Sequence, residues 1–473
     1  MLVCLTPDSL AAQLRGWTGD VTLVLSEPGF AFQGDDFRDS QTRAQLAVLD
    51  AWRGAVRTTK DALPANVHHV VAWAESVGPA WLRALPVGAR VAGVHVYEDK
   101  SVSSGAVISE CPLSAAAQFA LRVYSPKLTV LPDSVGQLAG LATLHLNGCS
   151  ALTVLPESVG QLTALTELHL WGCTQLCCVP EQLGHLTALT ALNLTKCSAL
   201  TVLPGSVGQL TALTELALGG CSALTVLPES VGQLPALKTL YLWGCVQLRW
   251  VSESVGQLAA LTTLKLTKCK ALAALPAWMA QHTTWISLGL PPCVRALPDW
   301  VCQLTALTEL DLIECLALTV LPEPLGQLTA LTTLNLTKCS ALTVLPESVG
   351  RLTALTYFGL GGCSALTVLP ELVGQLTALT ALDLTECSAL TVLPGSLGQL
   401  SALTILALGG CTAFTVLPES VGQLTALIML YLRGCTQLRW VSESLGQLTA
   451  LTDLNLTGCS ALTVLPKSVG QLA

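Results

Sequence analysis

Leu331 to Ala354 reads LTTLNLTKCSALTVLPESVGRLTA, and the same 24-residue frame, LxxLxLxxCxxLxxLPxxVGxLxx, recurs from Leu141 to the last residue. Successive repeats begin at Leu141, Leu165, Leu189, Leu213, Leu237, Leu261, Trp285, Leu307, Leu331, Leu355, Leu379, Leu403, Leu427 and Leu451, fourteen in all. Within each, the LxLxx stretch alternates apolar and polar with period two, which predicts a short strand burying one face. The remaining leucines fall where the chain turns back beneath that strand. One repeat cannot bury its own apolar side. Stacking sets Leu334, Leu336, Leu342 and Leu345 against Phe358, Leu360, Leu366 and Leu369 of the next repeat, giving one continuous core with strands in parallel register.

This frame resembles the leucine-rich repeat, in the variety with cysteine at the ninth position and LPxxVGxL on the outer side, and the match covers about three quarters of the chain. The resemblance implies an α/β repeat solenoid, a leucine-rich-repeat horseshoe with a parallel concave sheet and short 3-10 or irregular convex segments. Pro346 suits the first position of a helical turn, Glu347 favours its positive end, and Gly350 supplies the freedom to leave it after about one turn. The frame is similar to the repeat domains of intracellular plant disease-resistance receptors and of leucine-rich-repeat scaffold proteins of Ras signalling. The latter usually carry asparagine where this chain has Cys339 and run one residue shorter. The resemblance implies a protein-binding module of receptor or scaffold type, in intracellular signalling or defence.

The chain is 51% hydrophobic and 11% charged, yet Thr, Ser, Gly or Glu interrupt the leucines every two or three residues. No run approaches the roughly 20 apolar residues that a membrane span needs. The start, MLVCLTPDSLAAQLRGW, lacks the basic flank and long apolar stretch of a signal peptide. Leu2 stands where myristoylation needs glycine, and the C-terminus has no prenylation cysteine. A cytoplasmic protein is the simplest reading. With net charge −8 and few Lys or Arg on the concave columns, there is no basic stripe for nucleic acid.

Fourteen of the nineteen cysteines occupy the ninth position, from Cys149 to Cys459; the others are Cys4, Cys111, Cys177, Cys178 and Cys302. Adjacent ladder cysteines sit about one strand spacing, ~4.8 Å, apart. Parallel side-chain vectors and a reducing compartment both oppose disulfides between them. All fourteen are expected buried and reduced, each offering its thiol to a neighbouring backbone carbonyl, a role that asparagine plays in many leucine-rich repeats. Of Cys177 and Cys178, one is expected to be packed and one exposed.

Residues 1–120 have no 24-residue period and read as alternating elements. Helices are predicted at Ser9 to Trp17, Ser40 to Arg57 and near Pro79 to Leu85, with strands at Val21 to Ser26, Val67 to Ala74 and Ala89 to Tyr97. Such alternation fits either a small α/β domain or a set of degenerate, helix-backed turns capping the array, and the second is preferred. Residues 121–473 then form the solenoid, a partial first repeat plus fourteen, ending in mid-frame without a polar C-terminal cap. The stretch Leu213 to Leu258 reappears 190 residues on as Leu403 to Leu448, so part of the array is a duplication. The repeat from Trp285 to Ala306 is two residues short and carries Pro291-Pro292, which predicts disturbed stacking there. Trp278, Trp285 and Trp300 gather near that break and read as fillers of irregular packing before they read as a ligand pocket.

The chain contains no GxxxxGK[ST], HExxH or GxSxG motif and no zinc-type cysteine spacing. The nucleotide-binding ATPase segment of resistance receptors is also missing. No catalytic residue, cofactor or metal is therefore assigned. His145 and His169 share a frame position in adjacent repeats, but two histidines without a third ligand read as a polar surface pair. Recognition is left to the fifth and seventh positions, which flank the inward leucines on the concave side. Exposed aromatics on a rigid sheet are what protein-binding hot spots use, so His145, His169, Trp171, Tyr241, Trp243, Tyr431 and Arg433 are the candidates, with Tyr357 from the third position. The reading is a non-catalytic module holding a protein partner on its concave face. The alternative is a regulatory enzyme with its activity in residues 1–120, targeted by the array.

Overall fold

The computed structural model describes the strands Val21–Leu25, Val67–Trp73 and Gly93–Tyr97 and then residues 119–471. The three helices expected before residue 119 lie outside the described residues. The chain divides into two compact parts, Met1–Leu237 with Gln257–Ala260, and Lys238–Gly256 with Leu261–Ala473. In the first part, parallel strands pair one after another: Val21–Leu25, Val67–Trp73, Gly93–Tyr97, Phe119–Tyr124, Leu141–His145, Glu167–His169, Ala191–Asn193 and Glu215–Ala217. The second part continues the pattern through Thr239–Tyr241, Thr263–Lys265, Ser287–Gly289, Glu309–Asp311, Thr333–Asn335, Tyr357–Gly359, Ala381–Asp383, Ile405–Ala407, Met429–Tyr431 and Asp453–Asn455. Every repeat from Leu141 on thus supplies one strand, the architecture of a leucine-rich-repeat solenoid. No helix among the described residues is long and apolar enough to cross a membrane.

The register follows from the frame. In the Leu331 repeat, Leu331, Leu334, Leu336, Cys339, Leu342, Val349 and Leu352 are all fully buried, so the inward side of strand and turn is one apolar surface that only a neighbouring repeat can cover. Two side-chain ladders reinforce the stack. Threonines at the second position bond to the backbone one repeat earlier, with Thr356 Oγ1 donating to Thr332 O at 3.0 Å and Thr380 Oγ1 to Thr356 O at 2.9 Å. Thiols of the ninth position donate to the sixth-position carbonyl of the preceding repeat: Cys339 to Leu312 O at 3.3 Å and Cys363 to Leu336 O at 3.2 Å. Burial, and next the adjacent Cys315, push the Cys339 thiol up to about 12.

Several local expectations are corrected. Pro346 is the N-cap of the five-residue 3-10 turn Glu347–Arg351 rather than its first residue. Gly350 serves close approach, because a Cβ there would lie 2.7 Å from Leu372 Cβ of the next repeat. Pro291-Pro292 leave the sheet intact: Ser287–Gly289 pairs in register on both sides. The prolines act just after the strand. Pro292 holds the frame position at which Glu314 donates its N–H to Thr337 O, and a proline cannot donate there. Thirteen ladder cysteines are buried, but Cys293, beside those prolines in the shortened repeat, is half-exposed. Trp278 and Trp285 are core fillers as expected, with ring centroids 6.3 Å apart, His282 against both, and Trp285 Nε1 donating to Met279 O at 3.1 Å. Trp300 is half-buried on the single helical turn Asp299–Cys302.

Candidate functional site

In every strand from the Leu141 repeat through the Leu427 repeat the fourth and sixth positions are buried, so the third, fifth and seventh are left on the open face of the sheet. All eight sequence candidates stand there, but they form separate groups. In the first part, His145 and His169 stack face to face, centroids 4.4 Å apart and planes 5° from parallel. Burial, then His169 and Arg122, push the His145 imidazole down to about 3, so this ring is neutral. Trp171 is 43% exposed, its backbone N–H donates to Asn147 Oδ1 at 3.0 Å, and Lys196 Nζ sits 5.0 Å from its ring, a cation–π contact.

In the second part, Tyr241 and Trp243 share one wall of a depression of about 320 Å³ that Lys265, Thr267, Lys268, Asp311 and Ile313 complete. The depression exists because the Ser287–Gly289 strand between these walls presents only Ser287, Gly289 and Pro291 to the open face. Lys265 crosses the gap, and its Nζ meets Glu309 Oε1 at 2.8 Å while Ser287 Oγ donates to Glu309 Oε2 at 2.6 Å. Burial acts to raise the Glu309 carboxyl, but the hydrogen bonds from Lys265 and Ser287 and the Lys265 charge hold it below the usual carboxylate range. Burial raises the Asp311 carboxyl against the Ile313 N–H and Lys265, which act to lower it. Beside the depression, Glu314 lies 3.7–3.8 Å from the ammonium groups of Lys268, Lys270 and Lys338.

The remaining candidates stand apart from this depression. Tyr357 is half-buried over Gly359, where a Cβ would lie 2.9 Å from its ring. Tyr431 donates its hydroxyl to Asp453 Oδ2 at 3.1 Å, and Arg433 on the same row is exposed.

The fifth-position column that faces the open side includes Lys265 and Asp311, which the sequence did not single out, whereas Glu167 was missed altogether. Glu167 occupies the third position, the column that also holds Tyr357, and its Oε2 lies 3.2 Å from His169 Nε2. The pair of histidines therefore does have a third donor beside it. Also missed was an outward row at the fourteenth position, where Val320, Val344, Val392 and Trp440 are about half-exposed. Every frame leucine around that row is buried, and the alternation LTVLP was the available signal. Cys177 and Cys178 hold the thirteenth and fourteenth positions of the Leu165 repeat and are both exposed, Sγ atoms 3.6 Å apart. The expectation of one packed thiol fails because the thirteenth and fourteenth positions both face outward.

Residues 120–218 match the leucine-rich repeat region family. Among solved structures, a leucine-rich-repeat protein of Leptospira interrogans is 28% identical over 84% of this chain and 91% of its own, with a TM-score of 0.58. A TDR receptor is 17% identical over 87% of this chain and 81% of its own, TM-score 0.49. Toll, from the Drosophila Toll–Spätzle complex, is 19% identical over 82% of this chain and 49% of its own, TM-score 0.48. No curated protein sequence matches the chain. The repeat frame, the strand-and-turn architecture, the family match over residues 120–218 and the likeness to the Leptospira structure give the chain the leucine-rich-repeat fold.

Proposed function

We propose that this protein is a non-catalytic recognition module that holds a protein partner on the open face of its sheet, centred on the depression beside Tyr241 and Trp243. The observation that carries the reading is the depression itself. Two aromatic rings rise two strands from one that presents only Ser287, Gly289 and Pro291, and the charged side chains Lys268 and Asp311 stand at its margin. Aromatic walls desolvate an inserted apolar side chain, and charged groups at the rim set its orientation and exclude wrong partners. The occupant proposed is an apolar or aromatic side chain of a partner, flanked by an acidic group for Lys268. Trp171, Tyr357, Tyr431 and Arg433 extend the same kind of surface along other repeats. A cytoplasmic setting is favoured by a ladder of thiols that donate to carbonyls, and a role in signalling or defence by the resemblance of the frame to resistance receptors and Ras-signalling scaffolds.

The test is partner capture from native lysate by the full chain, followed by affinity measurement on Tyr241→Ala, Trp243→Ala and a chain lacking residues 1–120. Loss of the Trp243 ring should weaken binding by roughly 2 kcal/mol, about thirtyfold, with thermal stability nearly unchanged. Binding indifferent to both aromatic changes and abolished by removal of residues 1–120 would overturn the proposal.

A further inference from the structure

On the open face of the first part, well separated in sequence from the depression, His145, Glu167 and His169 each place one donor atom within 4.8 Å of the others. The geometry points to a site for a divalent transition-metal ion, zinc foremost, held by His145, Glu167 and His169 with its remaining position open to solvent.

The backbone explains why these three converge. Leu141–His145 and Glu167–His169 pair in parallel with His145 opposite His169, so the two imidazoles leave the sheet at the same height. Glu167 is two residues before His169 on the same strand and therefore on the same face. The ladder bond from Leu146 N to His169 O, 2.8 Å, fixes the spacing of the strands, so only side-chain torsions remain to be set. Two imidazole nitrogens and one carboxylate oxygen form the donor set of open zinc sites, whereas calcium and magnesium take oxygen ligands alone.

The rings now stack at 4.4 Å with their planes parallel, and a metal must lie in each ring plane on the nitrogen lone pair. Tetrahedral zinc at ~2.0–2.1 Å from both nitrogens needs them roughly 3.3 Å apart. The donor atoms lie within 4.8 Å of one another, so side-chain torsions must bring the two nitrogens closer for both to reach one ion. Glu167 is already in place, its Oε2 3.2 Å from His169 Nε2 and its side chain 47% exposed, so its hydrogen bond can be exchanged for a metal bond. Arg122 is the opposing group. It stands opposite His145 on the preceding strand, and its positive charge acts against a bound cation.

The experiment uses the full chain, stripped with a chelator and titrated with zinc alone by calorimetry, with cobalt substituted for the ligand-field spectrum. The expected result is one zinc per chain and a cobalt spectrum of nitrogen and oxygen ligands without thiolate charge transfer. Affinity should fall at least about tenfold in His169→Asn and in Glu167→Gln, since loss of even an outer-shell partner costs 10–100-fold. A Cys177→Ser/Cys178→Ser chain should bind as wild type, and circular dichroism should report the same fold for every variant. Zinc binding that survives the triple change His145→Asn/Glu167→Gln/His169→Asn, or that vanishes with the two exposed cysteines, would overturn the assignment, as would no binding at all.

Discussion

Lys265 Nζ lies 2.8 Å from Glu309 Oε1 although the two residues sit on strands that are not neighbours. The lysine passes over Gly289 of the strand between them, where a Cβ would come within 2.9 Å of its Cδ. This ion pair is the bridge that spans the shortened repeat.

Its dependence on pH has a definite sign. Folding lowers the Glu309 pKa below its ordinary 4.5, so the stabilisation is complete above that value and is lost as pH falls through the lower, folded-state pKa. With Glu309 39% exposed, solvent screening limits the effect, and Glu309→Gln should cost about 1 kcal/mol at neutral pH. Urea midpoints of wild type and variant should differ at pH 7 and converge in acid. A gap that persists unchanged into acid would show that the ion pair is not its source.

Gly289→Val should fill the floor of the depression and displace Lys265, at a cost of about 1–3 kcal/mol from overpacking. Partner binding should fall by at least as much as in Trp243→Ala. A variant that destabilises the chain yet binds normally would place recognition elsewhere.

The thiols should divide sharply in a labelling time course at mildly alkaline pH. Among the described residues, Cys177 and Cys178 should react first, Cys293 more slowly, and buried ladder thiols such as Cys339, held near 12, only on unfolding. Cys339→Ser keeps a donor toward Leu312 O and should cost little, whereas Cys339→Leu overpacks the turn by about 1–3 kcal/mol. Mass spectrometry of labelled peptides and thermal melts decide both points.

Lys338 adopts φ 63 at a position where eight repeats place glycine with positive φ. A side chain there is strained by roughly 1 kcal/mol or more, and its contact with Glu314 is 3.7 Å long with the lysine 60% exposed, too weak to compensate. Lys338→Gly should therefore raise the urea midpoint. A lowered midpoint would mean that the charge cluster around Glu314 outweighs the backbone strain.

The 24-residue frame by itself determined the fold from Leu141 on: one parallel strand per repeat, short outer turns, buried leucine columns and an inward row of thiols. It could do so because each repeat touches only its neighbours, so burial is dictated by a local period. The same period places His145, His169, Trp171, Tyr241, Trp243, Tyr357, Tyr431 and Arg433 at positions off the buried columns. What only the tertiary structure decided is how those exposed side chains group. Glu167 joins the two histidines, Lys265 leans over Gly289 to Glu309, and Tyr241 with Trp243 gains a depression because a strand two positions away presents only Ser287, Gly289 and Pro291. Periodicity fixes which face a residue occupies. The direction its side chain takes on that face is set by rotamers and by the size and charge of residues one and two repeats away, which no local pattern encodes.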